Sequence, residues 1–293
     1  MGAWAKSKGT PYFLMGPGLL WLTIFFVLPM LFMLSVSLYQ GSLDTTFEMT
    51  WHFENFKTAI TDFDTQFVRS FIYAGAATLL CLVIAYPLSY AIAFKAGRWR
   101  QVMLLCVIAP FFTTYLIRTY AWQTILSNDG TVVNVFQTLG ILGDDGTLLK
   151  TPTAVIAGLT YNFLPFMVLP IYASLEQMDT RLIEAGRDLY SNARTAFFKI
   201  TLPISMPGVI AGTLLTFIPA VGDYVNATFL GSPNQAMIGN VIQSQYLVTK
   251  DYPIAAAISF IMMALIVLMI AIYIKFAGEE SLMGDEAEVV TAK

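Results

Sequence analysis

The chain has 293 residues, 57% of them hydrophobic and only 12% charged, with a mean hydropathy of +0.67. Soluble domains carry about 25% charged residues, so this composition excludes an ordinary soluble globule and points to the membrane class. The net charge of −3 implies no nucleic-acid partner, and the single His52 cannot build a metal site alone.

In chain order, residues 1–11 form a short N-terminal segment with Lys6 and Lys8 ahead of an apolar run. That run, 12–39, is longer than the core of a signal peptide and reads as a retained first span. A polar stretch, 40–66, follows. Within it Trp51, Phe53 and Phe56 predict a short helix at headgroup level. Further spans are expected at 67–94, 101–125, 152–174, 204–225 and 253–276. Turn signals fall at NDG and DDG between 126 and 150, with a short surface helix between them. Residues 226–252 read as a polar loop, and 277–293 as an acidic, disordered tail. Cys81 and Cys106 both lie in expected spans, so two small core residues are a better reading than a disulfide.

Six spans put both chain ends on one side. With that side as the cytoplasm, Lys95, Arg98, Arg100, Arg181, Arg187, Arg194 and Lys199 all lie inside, as positive charge in short loops requires. Pro110, Pro165, Pro170, Pro207 and Pro219 sit within spans. Each frees a backbone carbonyl, which lipid tolerates only where protein or a wet cavity satisfies it. A bundle around a pathway is therefore expected, packed through Gly75, Ala76, Ala77, Gly158, Gly208 and Gly212.

The most charged stretch inside this apolar chain is 176–203. It carries Glu176, Asp179, Arg181, Glu184, Arg187, Asp188, Arg194 and Lys199 between apolar positions at helical spacing. Asp179 is placed to cap a first helix, and Ser191 or Asn192 a second. A charged helical loop between two spans reads as a docking element.

Within it, EAGRDLYSNARTAFFKITLPISMPG resembles the cytoplasmic EAA loop of binding-protein-dependent ABC importer permeases. Glu184, Ala185, Asp188, Leu189, Phe197, Ile200, Leu202 and Pro203 match the family pattern. Gly186 replaces the usual second alanine and keeps a small side chain. Tyr190 replaces the usual loop glycine, where a positive φ is costly for any other residue. The segments 110–126 and 218–247 resemble the spermidine/putrescine group of that family. The resemblance implies an all-α integral membrane protein with the type I ABC importer permease fold: six transmembrane helices, N- and C-termini cytoplasmic, filling 12–276.

It further implies a multi-pass place in the bacterial inner membrane, a second homologous permease, two copies of a nucleotide-binding ATPase and an extracytoplasmic solute-binding protein. Glu184 would make polar contacts to the ATPase, with Ala185, Gly186 and Leu189 packed against it. Asp188 and Pro203 complete the coupling set. ATP and Mg would be used by the ATPase, and no cofactor is expected on this chain. No G-x-x-x-x-G-K-S/T loop occurs, and one histidine leaves no nucleophile–His–acid set, so the chain is not expected to be an enzyme.

A cationic small molecule needs carboxylates and aromatic faces along its path. Asp223 is the foremost candidate, because a carboxylate at membrane depth is costly. It also reads as a headgroup-level residue or a partner for Arg118. Tyr224, Tyr161, Asn162, Tyr120 and Trp122 complete the candidate set. Asn162 and Tyr161 also read as glue between helices, and Trp122 as part of an aromatic belt. Competing expectations are the same machinery for an amino acid, iron complex, thiamine or phosphonate, a secondary transporter, and a membrane scaffold.

Overall fold

The computed structural model describes residues 10–41, 46–140, 142–143, 146–179, 181–182, 184 and 192–277. Among them, five helices are long and apolar enough to cross a membrane. A bent pair, Gly97–Phe112 with Tyr115–Ile125, makes a sixth if it counts as one span. The chain divides into two compact units.

The first unit holds residues 1–64 and 242–264. Its span, Met15–Ser37, consists of α1 (Thr10–Leu22), one π-helical turn at Thr23–Val27, and α2 (Leu28–Ser37). The widened turn lies just before Pro29, which lacks an N–H and whose ring clashes with the carbonyl four residues back. Leu20, Trp21, Phe25, Phe26 and Phe32 are 61–65% exposed, a surface suited to lipid rather than water. Beyond α2, β1 (Tyr39–Gln40) pairs antiparallel with β2 (Glu48–Met49). Asn55 closes this connection by donating from Nδ2 to the carbonyls of Ser37 (2.9 Å) and Tyr39 (2.8 Å). Asn55 belongs to α3 (Glu54–Phe94), whose Phe63 leaves helical geometry at φ −124°, ψ 18°. The expected headgroup helix and second span are therefore one element with a break between them.

The second unit holds 65–241 and 265–293. Its centre is α7 (Pro152–Glu176) packed along α9 (Leu202–Val221). Small residues make that approach possible. A Cβ on Gly208 would stand 2.6 Å from the carbonyl oxygen of Pro170, and one on Gly212 2.9 Å from Met167 Sδ. Gly75, expected in the same role, faces open space. From α3, Cys81, Ala85 and Ile92 pack against Met167, Val168, Ile171 and Leu175 of α7. α3 also donates into the proline-interrupted backbone of α7: Ser89 Oγ to Val168 O (2.9 Å) and Cys81 Sγ to Thr160 O (3.3 Å). These bonds tie two buried faces together through side chain and backbone in an apolar medium. Cys81 and Cys106 are both free thiols.

The third span is interrupted, as Pro110 within it suggests, and one other expectation needs correction. α4 (Arg100–Ile108) runs through a 3-10 turn at Ala109–Phe112, and α5 (Tyr115–Ile125) departs at 96°. Pro110 at the start of that turn and the extended backbone of Thr113 end the first helix. Beyond α5, α6 (Thr131–Thr138) is the short helix expected between the two turn signals. The supposed polar loop after residue 225 is largely helical: α10 (Val225–Leu230), a 3-10 turn at Pro233–Gln235, and α11 (Ile238–Ser244). Leu230, Met237 and Ile238 are fully buried. Ser232 and Gln235 form a reciprocal cap on the turn. Arg69 Nη1 donates to Ala236 O (2.8 Å), and Ile238 N donates to Ser70 Oγ (2.7 Å), which fastens the segment to α3. Its sparse apolar residues are its packing face, which the surrounding polar residues obscure.

The span leading to α9 also begins with a π-helical turn. α8 (Ala193–Ala196) passes through Phe197–Thr201 into Leu202 and Pro203. The widening again lies just ahead of a proline, as it does before Pro29.

Candidate substrate site

Asp223 lies in the bend between α9 and α10 and is 8% exposed. Among the described residues, its carboxylate accepts only from neutral donors. The Tyr115 hydroxyl donates to Oδ2. Asn226 donates to Oδ1 twice, from its backbone N (2.8 Å) and from Nδ2 (3.2 Å). The backbone bond caps the first turn of α10, which explains locally why an aspartate stands there. Asn226 Nδ2 also donates to Tyr115 Oη at 2.6 Å. Asn162 of α7 extends the network, donating from Nδ2 to Asn226 Oδ1 (3.1 Å) and Thr119 Oγ1 (3.4 Å). Residues from α5 and α10 thus converge on one carboxylate, and Asn162 of α7 joins them through Asn226.

Backbone packing holds this arrangement in place. A Cβ on Gly158 would approach Asn226 Oδ1 to 2.6 Å and strike Leu230. A Cβ on Gly239 would meet the carbonyl oxygens of Gly222 (2.5 Å) and Asp223 (3.0 Å). At Gly239, where the obstacles are backbone oxygens, only glycine permits the approach.

Arg118 does not pair with Asp223: among the described residues, no Lys, Arg or His nitrogen lies within 4.0 Å of that carboxylate. The Arg118 guanidinium is instead stacked over Phe111 (5.2 Å) and Tyr115 (5.5 Å), rings that stand on either side of the 96° break. It is 9% exposed, and its Nε and Nη1 have no hydrogen-bond partner. Tyr115 stands between the two charges, its ring under Arg118 and its hydroxyl on Asp223. An acid lacking a cation and a cation lacking an acid are both costly when buried.

Of the sequence candidates, Asp223 and Asn162 fall in one network. Trp122 and Tyr161 pack edge to face at 5.4 Å. Tyr224 and Tyr120 are 42% and 62% exposed and join neither group. Tyr115, Thr119 and Asn226 were missed. A polar residue recurring on each apolar element was the available signal, and tyrosine and threonine are too common in spans to stand out.

In the docking stretch, Glu184 is helical and exposed. Ala185, Gly186, Asp188, Leu189 and Tyr190 lie outside the described residues. On either side, Asp179 Oδ1 accepts from Arg181 N and Asn192 Oδ1 accepts from Arg194 N, both at 2.9 Å. Pro203 is the second residue of α9. Among the described residues, no cluster of His, Cys, Asp or Glu is arranged to hold a metal ion.

A membrane bundle with a buried polar network around one carboxylate, in a chain that also carries a charged stretch between two spans, has the form of a transport permease. Residues 85–277 match the model for binding-protein-dependent transport system inner membrane components, and the chain belongs to that family. It is therefore a multi-pass protein of the bacterial inner membrane, an ABC importer permease rather than an enzyme. It is 38% identical over 256 residues to the spermidine/putrescine transport system permease protein PotB of Haemophilus influenzae, covering 86% of this chain and 89% of that one. The PotB protein of Escherichia coli is 36% identical, with 86% and 92% covered. Among solved structures, a bacterial ABC transporter that imports the acidic polysaccharide alginate shares the fold. Its TM-score is 0.68 at 18% identity, with 91% of this chain and 94% of that one covered.

Proposed function

We propose that this chain is the permease subunit through which an ATP-driven importer moves a polyamine, such as spermidine or putrescine, into the cytoplasm. The observation that carries the reading is Asp223, a buried carboxylate held by neutral donors and without a cation of its own. A substrate ammonium would supply the missing charge, and the Trp122–Tyr161 pair offers aromatic faces for the methylene chain or a second ammonium. The names of the PotB relatives support the same substrate class.

In this reading both chain ends are cytoplasmic, and 176–203 docks onto a partner ATPase. Glu184 sets the register of that contact, while Ala185, Gly186, Asp188 and Leu189 form its surface. Two ATPase copies use ATP and Mg. A second homologous permease completes the pathway, and a solute-binding protein delivers the substrate. Closure of the ATPases pushes the docked segments and reorients the spans.

Arg118 favours a second reading. A buried guanidinium and a buried carboxylate on opposite sides of Tyr115 suit a zwitterion such as an amino acid. Competition separates the two. With the polyamine reading, excess unlabelled putrescine or spermidine lowers uptake of labelled spermidine by cells dependent on this permease, and amino acids do not. Inhibition by an amino acid alone would favour the second reading.

A further inference from the structure

We propose that Arg100, Tyr172 and Glu176 form a coupling latch that makes the α4–α5 pair follow α7 when the 177–203 segment is displaced. Glu176 is the last residue of α7, and the chain passes directly from it into the docking stretch. Arg100 is the first residue of α4. Its guanidinium pairs with the Glu176 carboxylate. Its Nε donates to Tyr172 Oη at 2.5 Å, and its charge lies 5.1 Å from the centre of the Tyr172 ring. Tyr172 itself is buried.

Three contacts on one guanidinium fix its direction as well as its position. Stability is a poor explanation for them. The Arg100 and Glu176 side chains are 34% and 45% exposed, and a partly exposed ion pair contributes little to folding.

The same two elements are joined again toward their other ends. There Asn162 of α7 donates to Thr119 of α5, and Asn226 links Asn162 to Tyr115. The two junctions lie about 21 Å apart along α7, at 1.5 Å per helical residue. Between Arg100 and Tyr115, the stack of Arg118 on Phe111 and Tyr115 braces the 96° break. A push on the end of α7 therefore reaches the Tyr115–Asp223 hydrogen bond by two routes, directly through Asn162 and through Arg100 along α4. With the latch open, only the first route remains.

The latch rests on the proposal that 176–203 docks onto the ATPase, and the experiment separates the two. The full complex of both permeases, ATPase and binding protein is reconstituted in liposomes, and ATP hydrolysed per solute imported is measured. Glu176→Gln, Tyr172→Phe, Arg100→Glu and the exchange Arg100→Glu with Glu176→Arg are compared with the wild type. Glu176→Gln and Arg100→Glu should raise the ratio about fivefold, the lower range for a coupling free energy between sites. Because the proposed ATPase contact is Glu184–Leu189 and Glu176 is still the last residue of the span helix, ATPase recovery with the complex should not change, and the exchange should restore the ratio. Should a charge reversal fail to assemble, Glu176→Gln and Tyr172→Phe decide alone. A wild-type ratio in both overturns the latch and leaves docking intact. Failure of the wild-type complex to retain its ATPase overturns the docking reading and the latch with it.

Discussion

Glu184→Arg is expected to abolish recovery of the ATPase with the membrane complex. The side chain is exposed on a helical residue, in the most charged stretch of an otherwise apolar chain. At a protein interface a charged rim fixes register, and placing like charges together costs several kcal/mol. A reversal of this kind lowers affinity by on the order of a thousandfold if about 4 kcal/mol is lost. Folding should be unaffected, because an exposed charge has no packing to lose. Pull-down through a tag on the permease, with membrane insertion checked separately, reads the effect. Equal ATPase recovery with the variant would place the contact elsewhere.

Asp223→Asn has the second large effect. The amide keeps the size of the carboxyl group and can still accept from Asn226 N, but it has no charge for an ammonium. Losing one partner of a buried, hydrogen-bonded charge pair costs about 2 kcal/mol or more, or about 30-fold in affinity. The loss should appear mainly in the concentration dependence of uptake, with ATPase recovery unchanged. Tyr115→Phe should have a smaller effect, because it removes one neutral donor and leaves the charge. Wild-type uptake by Asp223→Asn would reduce Asp223 to a cap for α10.

The spans were legible because lipid demands long apolar helices, and 15–37 or 152–176 can hardly be anything else. The caps at Asp179 and Asn192 were legible for a related reason, since side-chain oxygens near a helix start have few other local uses. The break at 113–114 was not. Pro110 announced an interruption, but no residue there encodes an angle of 96°, which the extended backbone at Thr113–Thr114 sets and the Arg118 stack spans. The segment after Val225 was misread for a related reason. Its polar residues are spent on caps, and its backbone at Ala236 and Ile238 is anchored to Arg69 and Ser70, so local hydropathy hides a buried helical element.

The site divided the same way. Asp223 and Asn162 stood out because each is costly in an apolar run. Their link passes through Tyr115 and Asn226, which a linear reading has no reason to bring together. Arg118 was weighed as a partner for Asp223. The ring of Tyr115 accepts its charge instead, leaving the carboxylate without a cation.

The most direct test is uptake of labelled spermidine by liposomes carrying this permease with its partner permease, ATPase and binding protein. Accumulation should require ATP inside and the binding protein outside, and should stop when the ATPase is inactivated. Uptake driven by an ion gradient with this chain alone, or an assembled complex that hydrolyses ATP without moving spermidine, would contradict the account.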